Sequence, residues 1–244
     1  MPLIYGIHAV AEALKARRVS RLVHERGAGP RVDALVARAH ELRIPIETVD
    51  RRALDRSTRG GVHQGVAAEL QPVAAYTVEE LVRAADGPAL LVVLDGIEDP
   101  HNVGAIIRVA DGAGAHGIIR QARHAAPLDG AVVKASAGAV SHARIATVVN
   151  IARTIEELKA LGVWTIGLDS GAGERYDEVD YTQPTAVVFG AEGAGLRRLV
   201  RETCDRRVGI PMAGAVASLN VSVAAGIALF EAARQRRGGP ARRT

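Results

Sequence analysis

Apolar residues recur at helical spacing over residues 7–16 (Ile7, Val10, Ala11, Leu14) and again from Val32 to Leu42 (Val32, Leu35, Val36, Ala39). That spacing predicts two amphipathic helices. Short strands are predicted at Arg21–His24, Ile44–Val49 and Gln64–Leu70, with a glycine-bearing loop, RGGVHQ, over 59–64. Gln71-Pro72, a short helical pattern (TVEELVRAA) and Gly87-Pro88 then suggest a linker over 72–87.

Beyond it the pattern changes. ALLVVLD (89–95) reads as a strand buried on both faces, and a helical pattern runs from Asn102 to about Ala113. Strands at 117–120, 164–169, 186–190 and 206–211 alternate with helices at 154–161, 196–203 and 218–235. Apolar strands separated by helices predict an α/β fold with a parallel sheet covered on both faces. The expected organisation is a small N-terminal domain over 1–71, the linker, a larger domain over 88–236 and a basic tail over 237–244.

Composition narrows the class. Of 244 residues, 48% are hydrophobic and 24% charged, which excludes a disordered or low-complexity chain. Aromatics make up 3%, which disfavours a base-stacking platform. The single Cys204 cannot form an internal disulfide or a cysteine-paired zinc site, so a reducing, cytoplasmic setting is expected. Residues 1–72 carry 12 Lys+Arg against 8 Asp+Glu, while the remainder carries 19 of each. The whole excess of +4 therefore lies in the first third, where it suits a polyanionic partner or simply a solvated surface. Residues 208–230 are uncharged and long enough to span a bilayer. Pro211, Ser218, Asn220 and Ser222 interrupt them, so a buried strand and helix are expected, and no membrane partner.

Two glycine motifs need separating. GAGAHG (112–117) follows a helix and precedes a strand, the reverse of a dinucleotide fingerprint, so its glycines are expected to end the helix. GAEGAG (190–195) follows a strand and precedes a helix, the position where open α/β sheets bind ligands. It lacks the Lys-Ser/Thr of a P-loop, which argues against nucleotide hydrolysis. A plain turn with Glu192 in the first helical turn is the alternative. Arg108 interrupts the apolar run Val103–Ala110, and a helix would place Gly104, Ala105, Asp111 and Gly112 beside it, leaving a low surface on which a ligand can lie. It could equally pair with Asp111 or Asp95. Asn102 stands where a helix should start, so it is also a candidate N-cap, as is Ser218 for the last helix.

Three blocks, LDGIEDPHNVGAIIRVADGAG (94–114), VVFGAEGAGLRRL (187–199) and IPMAGAVASLNVSVAAGIALFEA (210–232), resemble in order and spacing the three motifs of the SpoU/TrmH family of RNA 2′-O-ribose methyltransferases. GIHAVAEAL (6–14) and GVHQGVAAEL (61–70) are similar to that family's substrate-binding domain. The resemblance is greatest to the RlmB branch, which modifies a guanosine ribose in the peptidyl-transferase region of 23S rRNA. It implies a SPOUT-type α/β domain with a C-terminal trefoil knot, S-adenosylmethionine as methyl donor, no metal, a homodimer, and 23S rRNA or an assembling large ribosomal subunit as partner. By the same resemblance Arg108 matches the motif arginine proposed to act on the 2′-hydroxyl, and Asn102, Glu192, Ser218 and Asn220 complete the catalytic set. Gly190, Ala191, Ile210, Met212 and Leu219 are implied as the cofactor pocket. His63 and Gln64, in the basic third, are candidates to touch RNA. A tRNA or other rRNA ribose within the same family is the alternative substrate. A non-catalytic RNA-binding assembly factor on the same scaffold is the alternative class.

Overall fold

The computed structural model describes residues 3–71, 75–128 and 130–237. It divides into two units, one of Met1–Val73 with Pro127–His142 and the other of Ala74–Ala126 with Ala143–Thr244.

The first unit opens with β1 (Leu3–Tyr5), α1 (Ile7–Lys15), β2 (Val19–Glu25), α2 (Pro30–Glu41), β3 (Ile46–Val49), α3 (Arg51–Ser57) and β4 (Val66–Leu70). Its sheet runs β1-β4-β2-β3, with β4 antiparallel to both neighbours and β2 parallel to β3. The predicted stripes face inward: Val10 and Leu14 of α1 and Val32, Leu35 and Ala39 of α2 are buried. The 59–64 loop is tied down by its own residues. His63 is buried, its Nδ1 accepts the Gly65 N–H at 3.0 Å, and its Nε2 faces Asp55 Oδ1 at 3.0 Å. An imidazole that accepts at Nδ1 carries a proton on Nε2, so His63 donates from Nε2 to Asp55. Gln64 Oε1 accepts the Ile7 N–H at 3.0 Å and so serves the open N-terminus of α1. Both residues, expected to touch RNA, are occupied in holding the loop.

The second unit begins inside the segment expected to be a linker. Residues 72–74 lie outside the described residues, but Ala75–Tyr76 forms β5 and Val78–Arg83 forms α4. A reciprocal capping box between Thr77 and Glu80 starts α4, and Val78 and Leu81 sink into the core. Gly117 leaves the room Leu81 fills, since a Cβ there would stand 2.7 Å from a Leu81 methyl. The chain continues through β6 (Leu90–Asp95), α5 (Pro100–Ala113), β7 (Gly117–Gln121), α6 (Gly130–Ala135), β8 (Ile145–Val148), α7 (Ile151–Ala160), β9 (Trp164–Leu168), β10 (Glu174–Arg175), β11 (Thr185–Gly190), α8 (Arg198–Thr203), β12 (Arg206–Gly209) and α9 (Val221–Arg237). Helix α6 belongs to the first unit, where Gly130 lies against Leu3 and Ile4 of β1. The 88–236 domain is thus interrupted rather than continuous.

The second sheet runs β10-β12-β9-β11-β6-β7-β8-β5, and its strands pair in parallel. One face buries Leu91, Val93, Ile119 and Val188 against α4, α7 and α8. Gly114, in the left-handed conformation, ends α5, so GAGAHG is a helix stop. The uncharged stretch at 208–230 splits into β12 and α9, and no described helix is long and apolar enough to cross a membrane. Helix α9 continues to Arg237, Arg234 pairs with Glu231, and Arg236 donates to the carbonyls of Pro88, Ala89, Tyr181 and Gln183 at 2.6–3.0 Å. Residues 238–244 lie outside the described residues.

Candidate active site

Asp99, not Asn102, caps α5. Its carboxylate accepts the N–H groups of His101 (3.1 Å) and Asn102 (3.2 Å), and Pro100 fills the first helical position. Asn102 therefore sits within the first turn, 7% exposed, and its side chain is free for other work.

Strand β11 ends at Gly190, where the chain folds sharply on itself. Ala191 and Gly195 exchange backbone hydrogen bonds at 3.1 and 2.8 Å, and a Cβ on Gly190 would stand 2.1 Å from the Gly195 carbonyl carbon. The close approach that requires glycine at 190 is thus made by the loop's own backbone. Glu192 lies near the tip of this turn, before α8 rather than in its first turn. The N-cap of α8, Arg197, is held by buried Asp95, which accepts its N–H at 2.9 Å and its Nε at 2.7 Å. Asp95 is thereby taken, and does not partner Arg108.

Asn220 precedes α9 and occupies the cap position there. Its Oδ1 accepts the Ser222 N–H at 2.9 Å and the Ser222 hydroxyl at 2.6 Å. Ser218, the expected alternative cap, lies exposed in the preceding loop. The Asn220 Nδ2 donates to Asn102 Oδ1 at 2.9 Å and to Glu192 Oε1 at 3.3 Å, while Asn102 Nδ2 donates to Glu192 Oε2 at 3.0 Å. Residues separated by 90 and 118 positions in sequence thus close a three-membered polar ring. The Glu192 carboxylate is thus held from the N-terminal ends of two helices, α5 through Asn102 and α9 through Asn220.

Beside the ring lies a cleft, beyond the carboxyl ends of β9, β11 and β12. All five residues expected at a cofactor pocket, Gly190, Ala191, Ile210, Met212 and Leu219, line it, together with Glu192 and Ser218. Sequence reasoning missed Asp169, which also lines it. Its carboxylate lies 3.2 Å from Arg201 and accepts the Gly171 N–H at 3.1 Å. The signal was present, since Asp169 directly follows the last residue of β9, on the ligand-binding side of a parallel sheet.

Arg108 is not brought into the ring. Six residues beyond Asn102, its side chain leaves α5 about 120° around the axis. It is exposed and makes no hydrogen bond or ion pair with the described residues, so neither expected pairing, with Asp95 or Asp111, is present.

Residues 89–230 match the SpoU rRNA Methylase family, and residues 3–76 match the RNA 2′-O ribose methyltransferase substrate-binding family. The chain belongs to the SpoU rRNA methylase family. A Pseudomonas syringae relative, the 23S rRNA (guanosine-2′-O-)-methyltransferase RlmB, is 46% identical over 240 residues, 96% of this chain and 95% of its own. Among solved structures, the SpoU methyltransferase AviRb from Streptomyces viridochromogenes, in complex with AdoMet, is 29% identical with a TM-score of 0.81, covering 97% of this chain and 91% of that one. The Aquifex aeolicus TrmH/SpoU tRNA modifying enzyme is 32% identical with a TM-score of 0.58, covering 64% of this chain and 80% of that one. The ring and the cleft are built from all three sequence blocks that carried the resemblance to SpoU proteins.

Proposed function

We propose that this protein transfers a methyl group from S-adenosylmethionine to the ribose 2′-hydroxyl of a guanosine in 23S rRNA, in the peptidyl-transferase region. The observation that carries the reading is the Asn102–Glu192–Asn220 ring at the mouth of a cleft at the carboxyl ends of a parallel sheet. Near-complete coverage by an RlmB relative, against 64% coverage by a tRNA-modifying one, supports rRNA as the substrate.

The cleft fits the cofactor chemically. Phe189, Ile210, Met212 and Leu219 offer an apolar slot for a purine, the 190–195 turn offers backbone polar groups, and Asp169 and Glu192 offer negative charge to a cation. When bound, S-adenosylmethionine supplies an electrophilic methyl on a sulfonium. The chain supplies orientation and charge. Asn102 and Asn220 fix the Glu192 carboxylate, and Ser218 adds a hydroxyl at the cleft wall. Arg108, with no partner among the described residues, is assigned to the developing 2′-oxygen charge or its neighbouring phosphate. A guanidinium stays protonated near neutrality, so this electrostatic role is chemically easier than proton abstraction.

The same reading includes a homodimer, a C-terminal trefoil knot and a cytoplasmic location. The dimer is supported by Val223 and Phe230, 51% and 47% exposed on α9, the helix that packs on α5. The test is methyl transfer from labelled S-adenosylmethionine to 23S rRNA lacking the modification. Cofactor binding without transfer to any RNA would instead favour a non-catalytic RNA-binding factor.

A further inference from the structure

Arg120 lies at the carboxyl end of β7, 8% exposed. Register places it in one row with Leu94 of β6 and Phe189 of β11, so the three side chains share a face of the sheet. Phe189 lines the cofactor cleft, two strands and therefore about 10 Å away. Of the five N–H donors on the Arg120 guanidinium, Nε reaches the Gln121 carbonyl at 3.4 Å, and no other has a partner among the described residues. No carboxylate among them is paired with it. The neighbouring Gln121 Oε1 is buried without a hydrogen bond.

Two arginines of the same unit show what a structural role looks like. Arg197 is matched to Asp95, and Arg236 to four carbonyls. Arg120 has neither kind of match, yet burial is costly for an unpaired charge and lowers the pKa of this guanidinium. A row neighbour of the cleft, at the ligand end of the sheet, holds an uncompensated cation with a planar fork suited to a phosphate.

We infer that Arg120 is a receptor for a backbone phosphate of the substrate RNA, holding the strand while the target ribose lies at the cleft. The inference rests on the methyltransferase reading above. The methionine carboxylate of S-adenosylmethionine has the same oxyanion chemistry. The RNA is assigned because the cleft walls are made by the ends of β9, β11 and β12, not of β7.

The test uses the full chain with Arg120→Gln and Arg120→Lys. Arg120→Gln should raise the RNA KM about tenfold and make the log–log salt dependence of RNA binding shallower by about 0.7, one phosphate contact on a single strand. Its S-adenosylmethionine Kd and Tm should match wild type, and Arg120→Lys should recover part of the RNA affinity. An unchanged RNA KM and salt slope would overturn the inference, and so would a parallel loss of cofactor affinity, which would assign the site to the carboxylate. If Arg120→Gln does not fold, Arg120→Lys decides: wild-type RNA affinity together with lost cofactor affinity overturns the inference, and a reduced RNA affinity alone supports it. Wild-type protein that methylates no ribose would refute the underlying function instead, so the two failures are distinguishable.

Discussion

Replacing Asn102 by alanine removes two hydrogen bonds at once, the donation to Glu192 at 3.0 Å and the acceptance from Asn220 at 2.9 Å. The first is charge-assisted and contributes about 1.5–3 kcal/mol in a buried setting, the second about 1 kcal/mol. Glu192 is exposed, which pulls the first toward its lower end. Alanine returns up to about 0.7 kcal/mol of helix propensity. Asn220 is not left orphaned, because it keeps Glu192 Oε1 at 3.3 Å. The net loss is therefore about 1–3 kcal/mol, a Tm fall of roughly 2–10 °C for a domain of this size. The larger effect should be on rate. A carboxylate released from one of two anchors loses its fixed position, and misplacement on the order of 1 Å costs about a hundredfold. Thermal melts and single-turnover methyl transfer would be run on Asn102→Ala, Glu192→Gln and the double variant. Contact across the ring requires a coupling energy of at least about 0.5 kcal/mol. Single effects that simply add, with Asn102→Ala as fast as wild type, would refute the reasoning.

Other outcomes follow from the same geometry. Arg108→Ala should abolish transfer while leaving cofactor affinity and Tm near wild type, since Arg108 is exposed and bonds to no described residue; loss of cofactor binding alongside activity would mark a structural role. Gly190→Ala forces a Cβ to within 2.1 Å of backbone, so the 190–196 turn must open. Cofactor Kd, read by calorimetry, should rise at least about tenfold, and a normal Kd would show that the turn does not shape the cleft. Arg236→Ala leaves four carbonyls without this donor and should lower stability by about 2–4 kcal/mol in denaturant titration. Burial first, then Arg236 and Arg144, holds His116 below its ordinary value of 6.5, while its Nδ1 accepts the Leu90 N–H. The unfolded chain then binds a proton that the native chain resists, so this contribution to stability is present above about pH 6.5 and is lost as pH falls below it. Comparing melts of wild type and His116→Asn from pH 8 to 5 should show a smaller acid loss in the variant; equal losses would exclude His116 as a source.

Elements with strong periodicity are legible in the amino-acid pattern itself. The α1 and α2 stripes, the apolar run Leu90–Leu94 of β6 and the split of 208–230 into strand and helix all follow from patterning. What escaped were short pieces stabilised by distant partners. Leu3–Tyr5 becomes a strand because β4 pairs with it, and β5 forms because β8 lies alongside. Helix α6 has six residues and no acidic first turn, and its place in the first unit comes from packing on β1. The linker reading failed because the burial of Leu81 depends on the absent side chain of Gly117. At the site, residue types pointed to Asn102, Glu192 and Asn220, but local rules assigned Asn102 to a cap that Asp99 already provides. A ring closed across 118 residues has no periodic signature, so only the combined blocks could suggest it. Arg108 illustrates the reverse, a residue singled out by sequence that the described chain leaves without a partner.

The measurement that bears most directly on the central claim is transfer of labelled methyl from S-adenosylmethionine to 23S rRNA from cells lacking the modification, mapped to single nucleotides. The account predicts one 2′-O-methylguanosine, lost with Arg108→Ala and strongly reduced with Asn102→Ala. Methyl groups on bases rather than ribose, or no transfer to rRNA by protein that binds the cofactor, would contradict it.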